Sequence, residues 1–429
     1  MGHNTFSKDF LWMAVGQVIS LFGNAVVRFA LPLYLLNMTG SPALYGTVTA
    51  CAFIPAILLS PLGGIVADRV NKRNIMVALD FFTAALMGAF LLLMSHVDLT
   101  VLLTVTLMIL YGIAGAYQPS VQASVPVLVE KEGLMAANAV INMVSQAASL
   151  FGPVLGGVVY SIWGLTPVLA VSGICFFLSA VMELFIHIPH VRQEKGGNIW
   201  KTVGRDFKES LFFIRREKPV VGKVLLVVCA VNFFLSAMII VGLPYVITEV
   251  LSFESSAANR LYGFAEGALA MGGLAGGIGA GIWGGRLTVS RAGELLSAAT
   301  LCVFPMGISL FLFPEGAISY GVTTVCCALL MVFSTMFTIQ MMAFVQEQTP
   351  GRMTGKVISV ILTVSMCAQP LGNAMYGILF EWCEGLEYAV VLLAGLISLM
   401  ISLRAGRIFR EMGQDADSFP GRQTSREGR

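Results

Sequence analysis

The amino-acid sequence predicts an all-α membrane protein of twelve spanning helices in two six-helix bundles, and three observations carry that prediction. Hydrophobic residues fill 57% of the 429 positions and charged residues only 12%, where a soluble domain carries roughly 25% charged. Too little polar surface remains to coat a water-facing shell. Apolar runs long enough to cross hydrocarbon as a helix, about 20 residues, recur along the chain. Special residues of the first half also return in the second half at one constant offset.

The runs are continuous rather than alternating, which indicates helices, because backbone groups in lipid must be paired within the span. In the first half they begin near Phe10, Ala43, Ile75, Leu99, Leu134 and Pro167. In the second half they begin near Val220, Ala257, Ala292, Ala317, Gly355 and Leu386. Tight turns such as Thr39-Gly40-Ser41-Pro42 and Phe313-Pro314-Glu315-Gly316 separate several of them. Met1 to Lys8 has no basic n-region or cleavage site, and the first apolar run is too long for a signal peptide, so it is expected to stay as a span.

Lys and Arg set the orientation. With a cytoplasmic N-terminus, every basic residue among the 26 except Arg28 and Arg260 falls on an inner loop, the central connection or the C-terminal tail. The expectation is a multi-pass protein of the cell (plasma or inner) membrane with both termini cytoplasmic. A net charge of +2 implies no nucleic-acid partner.

One long connection, residues 189–219, carries eight basic residues from Arg192 to Lys218. Within it Trp200, Val203, Phe207, Leu211 and Ile214 recur at helical spacing opposite most of the charges, the pattern of a helix lying on the inner leaflet. A solvated linker with incidental periodicity is the alternative. The expected division is residues 1–188 as the first bundle, 189–219 as the linker, 220–410 as the second bundle and 411–429 as a flexible cytoplasmic tail. Gly64 with Gly281, Arg69 with Arg286, Glu130 with Glu347 and Pro153 with Pro370 all stand at the same offset. Such a two-fold repeat places a binding site at the interface of the halves, near mid-membrane.

Gly64-Ile65-Val66-Ala67-Asp68-Arg69-Val70-Asn71-Lys72-Arg73 joins the second and third spans. A small residue at 64 permits close helix approach, Asp68 suits the positive end of a neighbouring helix, and Arg69, Lys72 and Arg73 hold the loop inside. This stretch resembles the G-x-x-x-D-R-x-x-[RK]-[RK] signature of the major facilitator superfamily, at the place that family puts it. The resemblance implies that Asp68 and Arg69 act as a cytoplasmic latch. The second copy, Gly281-Ile282-Trp283-Gly284-Gly285-Arg286, lacks the acid and the final basic pair, so only the first copy is expected to work as a charged latch. The alternative is a determinant of topology alone.

The fifth run contains Ala148-Ser149-Leu150-Phe151-Gly152-Pro153-Val154-Leu155-Gly156-Gly157. Gly and Pro in a span allow a kink and tight packing; generic packing is the bland reading. The run is similar to the g-x-x-x-G-P-x-x-G-G motif of superfamily exporters, with Ala148 in place of the first glycine. Thr39-Gly40-Ser41, Asp80, Gln118-Pro119, Gln122 and Pro126 resemble the macrolide-efflux and enterobactin-exporter group. The resemblance implies a secondary transporter, expected to be monomeric, that exports a small drug-like or siderophore-like molecule by alternating access and is driven by protons. A lipid flippase or facilitated uptake carrier of the same fold is the alternative, and a membrane receptor a remote one.

An ionisable group inside a span is expensive and is a functional hypothesis by default. Arg28 lies in the outer part of the first span, and Glu266 about nine residues into the eighth, roughly 12–14 Å deep. One reading has both facing a central cavity, with Glu266 exchanging a proton or meeting a cationic ligand and Arg28 tuning it. The other is a structural ion pair or side chains snorkelling to the outer interface. Asp80, near the inner end of the third span, reads mainly as structural, bonding to the loop that carries Arg69, with proton coupling as its second reading. Glu183 reads as interfacial. Gln17, Asn24, Gln146, Asn232 and Gln369 are candidate substrate-lining groups, with helix packing as the competing explanation for each.

Eight cysteines are all in apolar stretches without a CxxC pair, and the four His residues form no HExxH. No metal, cofactor or enzymatic activity is expected. Gly351-Arg352-Met353-Thr354-Gly355-Lys356 has the wrong spacing for a phosphate loop. The expected partners are a small-molecule substrate, protons and the lipid bilayer.

Overall fold

A computed structural model describes residues 7–130, 133–188, 199–283, 289–314 and 316–417, with side chains at 60–69, 135, 199–203, 206, 351–352 and 412–417 left undescribed. Among the described residues the chain is helical. In the first half lie α1 (Lys8–Thr39), α2 (Pro42–Arg69), α3 (Lys72–Leu93), α4 (Leu99–Leu128), α5 (Leu134–Trp163) and α6 (Leu165–Leu184). After them come α7 (Ile199–Phe212), α8 (Pro219–Val231), α9 (Ala237–Tyr245), α10 (Ser255–Trp283), α11 (Ala292–Leu301) and α12 (Val303–Leu312). The chain continues through α13 (Ala317–Gln348), α14 (Gly351–Trp382) and α15 (Glu387–Asp417).

Local chemistry sets the helix ends. Ser7 Oγ accepts from the Phe10 amide at 3.1 Å to start α1, and Asp98 Oδ1 does the same for Val101 at 3.0 Å to start α4. Gly40 ends α1 with φ +62°, its N–H returning to the Leu36 carbonyl, a conformation that a side chain would strain. Proline lies inside α1, α4, α5, α9 and α14. The stretch from α8 to Val250 is one continuous span widened by two π turns, Asn232–Ser236 and Val246–Val250.

Eleven helical stretches among the described residues are long and apolar enough to cross a membrane. The sequence predicts twelve spans. The stretch not among the eleven is α10, a 29-residue helix whose sequence carries Arg260, Glu266 and a run of glycines. Glycine contributes almost no hydrophobic surface, so length is kept while apolar content falls. Large apolar side chains face outward along the helices, among them Leu58, Leu92, Leu226, Ile282 and Trp382. In water such a surface would be untenable; in lipid it is the ordinary exterior.

Two compact units form. The first comprises Met1–Val203, Leu243–Gly267 and Asn373–Glu381; the second comprises Gly204–Gly242, Ala268–Gly372 and Trp382–Arg429. The first unit therefore includes two pieces from the second half of the sequence. Inside it α2 packs along α4, α3 along α6, and α1 against both α5 and α6. One of its apolar cores gathers Phe10, Met13, Met76, Val121, Val125 and Ile186. In the second unit α15 packs against α11 and α12, around a core that includes Phe213, Val224, Phe337, Phe344 and Phe409. Phe207, Leu211 and Phe212 on α7 are exposed, while Ile214 is buried in the second unit's core, so the apolar stripe of the linker ends before Ile214.

Candidate functional site

The polar residues of the first unit fall into two groups. The first begins on α1, where Gln17, Ser20, Asn24 and Arg28 recur at helical spacing and so share one face. Gln17 is fully buried, and its Nε2 donates to the Tyr117 hydroxyl of α4 at 2.7 Å. The Tyr117 O–H in turn donates to Glu183 Oε1 of α6 at 2.7 Å, and Ser20 Oγ donates to Asp80 Oδ1 of α3 at 3.0 Å. Asp80 is 2% exposed and Glu183 0%. Asp80 thus bonds to α1, while the Arg69 side chain that it was expected to meet lies outside the described residues, and Glu183 is an interior group rather than an interfacial one. Its place at the last turn of α6 suggested the membrane surface; the packing of α6 against α1 and α3 encloses it instead.

Arg73 stands at the entry to this region. Its Nε donates to the Glu183 carbonyl at 3.3 Å and its Nη2 to the Leu184 carbonyl, so the guanidinium caps the C-terminal end of α6. A cation there satisfies carbonyls that the helix cannot and meets the negative end of its dipole. Lys72 is half-buried at the start of α3. Gly64, Asp68 and Arg69 lie at the end of α2, but their side chains fall outside the described residues. Part of the second copy, Gly284 to Arg286, also falls outside them.

The second group sits at the opposite ends of the helices, where α5 and α2 meet the pieces of α10 and α14 that belong to the same unit. On α5, Gly152 faces Ala25 and Gly156 faces Phe29 of α1. Gly157 meets α10: a β-carbon there would lie 2.9 Å from the Asn259 carbonyl oxygen and 3.1 Å from Gly263 Cα. Reciprocally, a β-carbon on Gly263 would lie 2.6 Å from the Pro153 carbonyl. Only hydrogen fits at either position. Gly46 of α2 meets Asn373 and Gly377 of α14 in a similar crossing. Gly46 and Gly263 stand at the constant offset of the sequence repeat, so equivalent residues of the two halves make both close approaches.

Polar bonds tie these crossings. Asn37 Nδ2 donates to Asn259 Oδ1 at 2.8 Å and lies 3.3 Å from the Tyr160 hydroxyl oxygen. Glu381 accepts from the Ala43 amide at 3.2 Å and from the Ser41 hydroxyl, so a carboxylate of α14 caps the positive start of α2. Phe29 stacks on Tyr262 with ring centroids 4.8 Å apart, and the Tyr262 hydroxyl donates to Glu266 Oε1 at 3.1 Å. Arg28 stands with its guanidinium 3.6 Å over the Tyr111 ring. A cation on the negative face of an aromatic ring is held electrostatically. No ion pair joins Arg28 to Glu266.

The remaining candidates are dispersed. Asn24 is half-buried with its Oδ1 unpartnered, and Gln146 is exposed on α5. In the second unit Asn232 donates to the Ser365 carbonyl at 3.1 Å from within a π turn, and Gln369 is half-buried on α14. Such turns, where a helix departs from regular winding, are frequent at functional positions. No group of His, Cys, Asp and Glu suited to hold a metal ion occurs among the described residues.

Comparison with known proteins follows the same line as the geometry. The family model described as Major Facilitator Superfamily matches residues 13–373. Macrolide efflux protein A of Streptococcus pyogenes is 22% identical over 374 residues, covering 86% of this chain and 89% of that protein. An uncharacterised MFS-type transporter of Bacillus subtilis is 26% identical over 416 residues, covering 92% of each. Among solved structures, a bacterial homologue of the human lysosomal transporter Spinster in an inward-facing, unoccupied conformation superposes with TM-score 0.72 at 16% identity, over 96% of this chain and 99% of that one. The nucleoside transporter NupG superposes with TM-score 0.74 at 12% identity, over 94% and 100%. At these identities the structural likeness speaks for the fold.

Proposed function

The chain belongs to the Major Facilitator Superfamily and is a multi-pass membrane transporter rather than an enzyme, and on that premise we propose that it is a proton-driven exporter of a small amphipathic molecule. It works by alternating access, the spans of residues 1–188 moving against those of residues 220–410, with 189–219 as the connection and both termini cytoplasmic. The single observation that carries the export reading is the packing of the Gly152-Pro153 and Gly156-Gly157 run. The run resembles an exporter motif, and its glycines let α5 approach α1 on one side and α10 on the other. In this reading the crossings of α5 with α10 and of α2 with α14 are the outer closure. The likeness to a macrolide efflux protein supports the same direction and a drug-like cargo.

Arg28 on Tyr111 offers a fixed cation beside Asn24, a pair suited to orient an amphipathic solute with an acceptor group. Arg73 and Lys72, with Asp68 and Arg69, make the inner latch. Cells that carry the protein should accumulate less of a macrolide such as erythromycin than cells that lack it, and an uncoupler should erase the difference. A difference that survives the uncoupler would point to a facilitated carrier, and no difference across a panel of amphipathic compounds would remove the export reading.

A further inference from the structure

Between α1, α3, α4 and α6 the interior holds more hydrogen-bond acceptors than hydrogens to give them. Gln17, Ser20, Asp80, Tyr117 and Glu183 are each 5% exposed or less. Each hydroxyl has a single hydrogen to give: Tyr117 donates to Glu183, Ser20 to Asp80 and Ser179 to the Gly16 carbonyl at 3.0 Å, with Ser179 and Tyr117 also within hydrogen-bonding reach of Asp80. Three oxygens are then left without a partner, Asp80 Oδ2, Glu183 Oε2 and Gln17 Oε1. Gln17 is the independent witness. It is not an acid, it is wholly buried, and its amide is anchored on Tyr117, the residue that bonds Glu183.

Among the described residues no cation answers the two carboxyls. On α1 the charged groups are Lys8 and Asp9 at the start and Arg28 beyond Asn24; Asp9 accepts from the His187 amide at 3.1 Å, and Arg28 lies on Tyr111. On α3, Lys72 and Arg73 precede Asp80 by two turns, and Arg73 spends its donors on backbone carbonyls of α6. α4 contributes Tyr111 and Tyr117, and α6 contributes Cys175 besides Glu183. Asp80 and Glu183 lie within electrostatic reach of each other and of Tyr117. Two anions so enclosed repel each other and lack hydration. A proton removes one of the two charges and supplies a missing hydrogen.

We propose that Asp80 and Glu183 share one proton, and that this pair, rather than Glu266, is the proton-binding site of the transport cycle. This deepens the proton-driven reading and rests on it. In the loaded state one carboxylate carries the proton on its orphaned oxygen as a neutral acid; release returns the hydrogen ion to water and leaves both as carboxylates. α1 provides the mechanical link. It carries Gln17 and Ser20 at the pair, Arg28 further along the same face, and Ala25 and Phe29 against Gly152 and Gly156 of α5. Phe29 also stacks on Tyr262, so a change of charge at the pair reaches the crossing of α5 and α10 through one helix.

The test uses the full chain in nanodiscs of phosphatidylethanolamine and phosphatidylglycerol. The infrared difference between wild type and the double variant D80N/E183Q at neutral pH should contain the carbonyl stretch of a protonated carboxyl, sensitive to deuterium exchange. A featureless difference overturns the proposal, as does a band that disappears when sodium chloride replaces choline chloride, which would make the pair a metal-ion site. Should the double variant fail to fold, D80N and E183Q alone must each reduce the band. In cells challenged with erythromycin, the folded double variant should lose the response to an uncoupler while E266Q keeps it; the reverse pattern assigns coupling to Glu266 and overturns the location alone. If wild-type accumulation ignores the uncoupler, the proton-driven reading falls, while the spectrum still decides whether the pair holds a proton.

Discussion

Two acidic regions of the same unit, Asp80 with Glu183 and Glu266 beside Tyr262, differ in their supply of hydrogen-bond donors. Glu266 is half-buried, one carboxylate with a tyrosine donor 3.1 Å away, set against stacked rings at a close helix crossing. Asp80 and Glu183 are two carboxylates almost wholly enclosed, each with one oxygen left without a partner. The depth of a charge in the sequence of a span therefore says little about its task. What separates the two regions is the count of donors around each acid, and that count is fixed by which helices pack together.

The largest effect that tests the comparison is geometric. Gly263→Leu would drive a side chain into the Pro153 backbone, which cannot rotate away. Overpacking of this kind costs about 1–3 kcal/mol or more, so thermal unfolding of the purified protein should fall by several degrees and efflux should be lost. Gly88, with nothing near its β position, is the control, and Gly88→Ala should be silent. Tyr117→Phe comes next: it strips Glu183 of its donor and Gln17 of its acceptor in a dry site, a loss of about 1–3 kcal/mol, read by denaturation. Tyr262→Phe makes the matching change at Glu266, a lone, half-buried carboxylate rather than one of an enclosed pair. Its cost should stay below that of Tyr117→Phe, and equal costs would erase the distinction drawn between the regions.

Arg73→Ala removes two charged donors from the end of α6 at a partly exposed place, an expected loss of about 0.5–1.5 kcal/mol. Lysine there should restore only part of it, since an ammonium cannot span both carbonyls as the planar fork does. The smallest effect belongs to Glu266→Gln, where an amide oxygen can still accept from Tyr262; stability should change by no more than about 0.5 kcal/mol.

Much of this was written in residue spacing. The apolar runs marked the helices, and Gln17, Asn24 and Arg28 stood out as polar residues within the first of them, but that the three share one face of α1 was not read from the sequence. The run from Gly152 to Gly157 announced close approach because hydrogen side chains have few other uses in a span. What it could not announce is the partner, since Gly263 meets it from another half of the chain. Glu183 was hidden for the same reason. Its position near the end of α6 is compatible with headgroups or with interior, and only the joint packing of α1, α3 and α4 decides. The glycines of α10 had a comparable effect on the span count, since they serve contact at the expense of hydropathy.

The widened turns at Asn232–Ser236 and Val246–Val250 have a consequence for anyone drawing a helical wheel. Each holds an extra residue, and one residue of α-helix corresponds to about 100° of rotation. A wheel drawn with uniform winding from Pro219 onward would therefore point Tyr245, now beside Phe380, into the wrong neighbour. Deleting a single residue within the Asn232–Ser236 turn should rewind the helix and swing everything beyond it around the axis, a far greater disturbance than the loss of any one side chain.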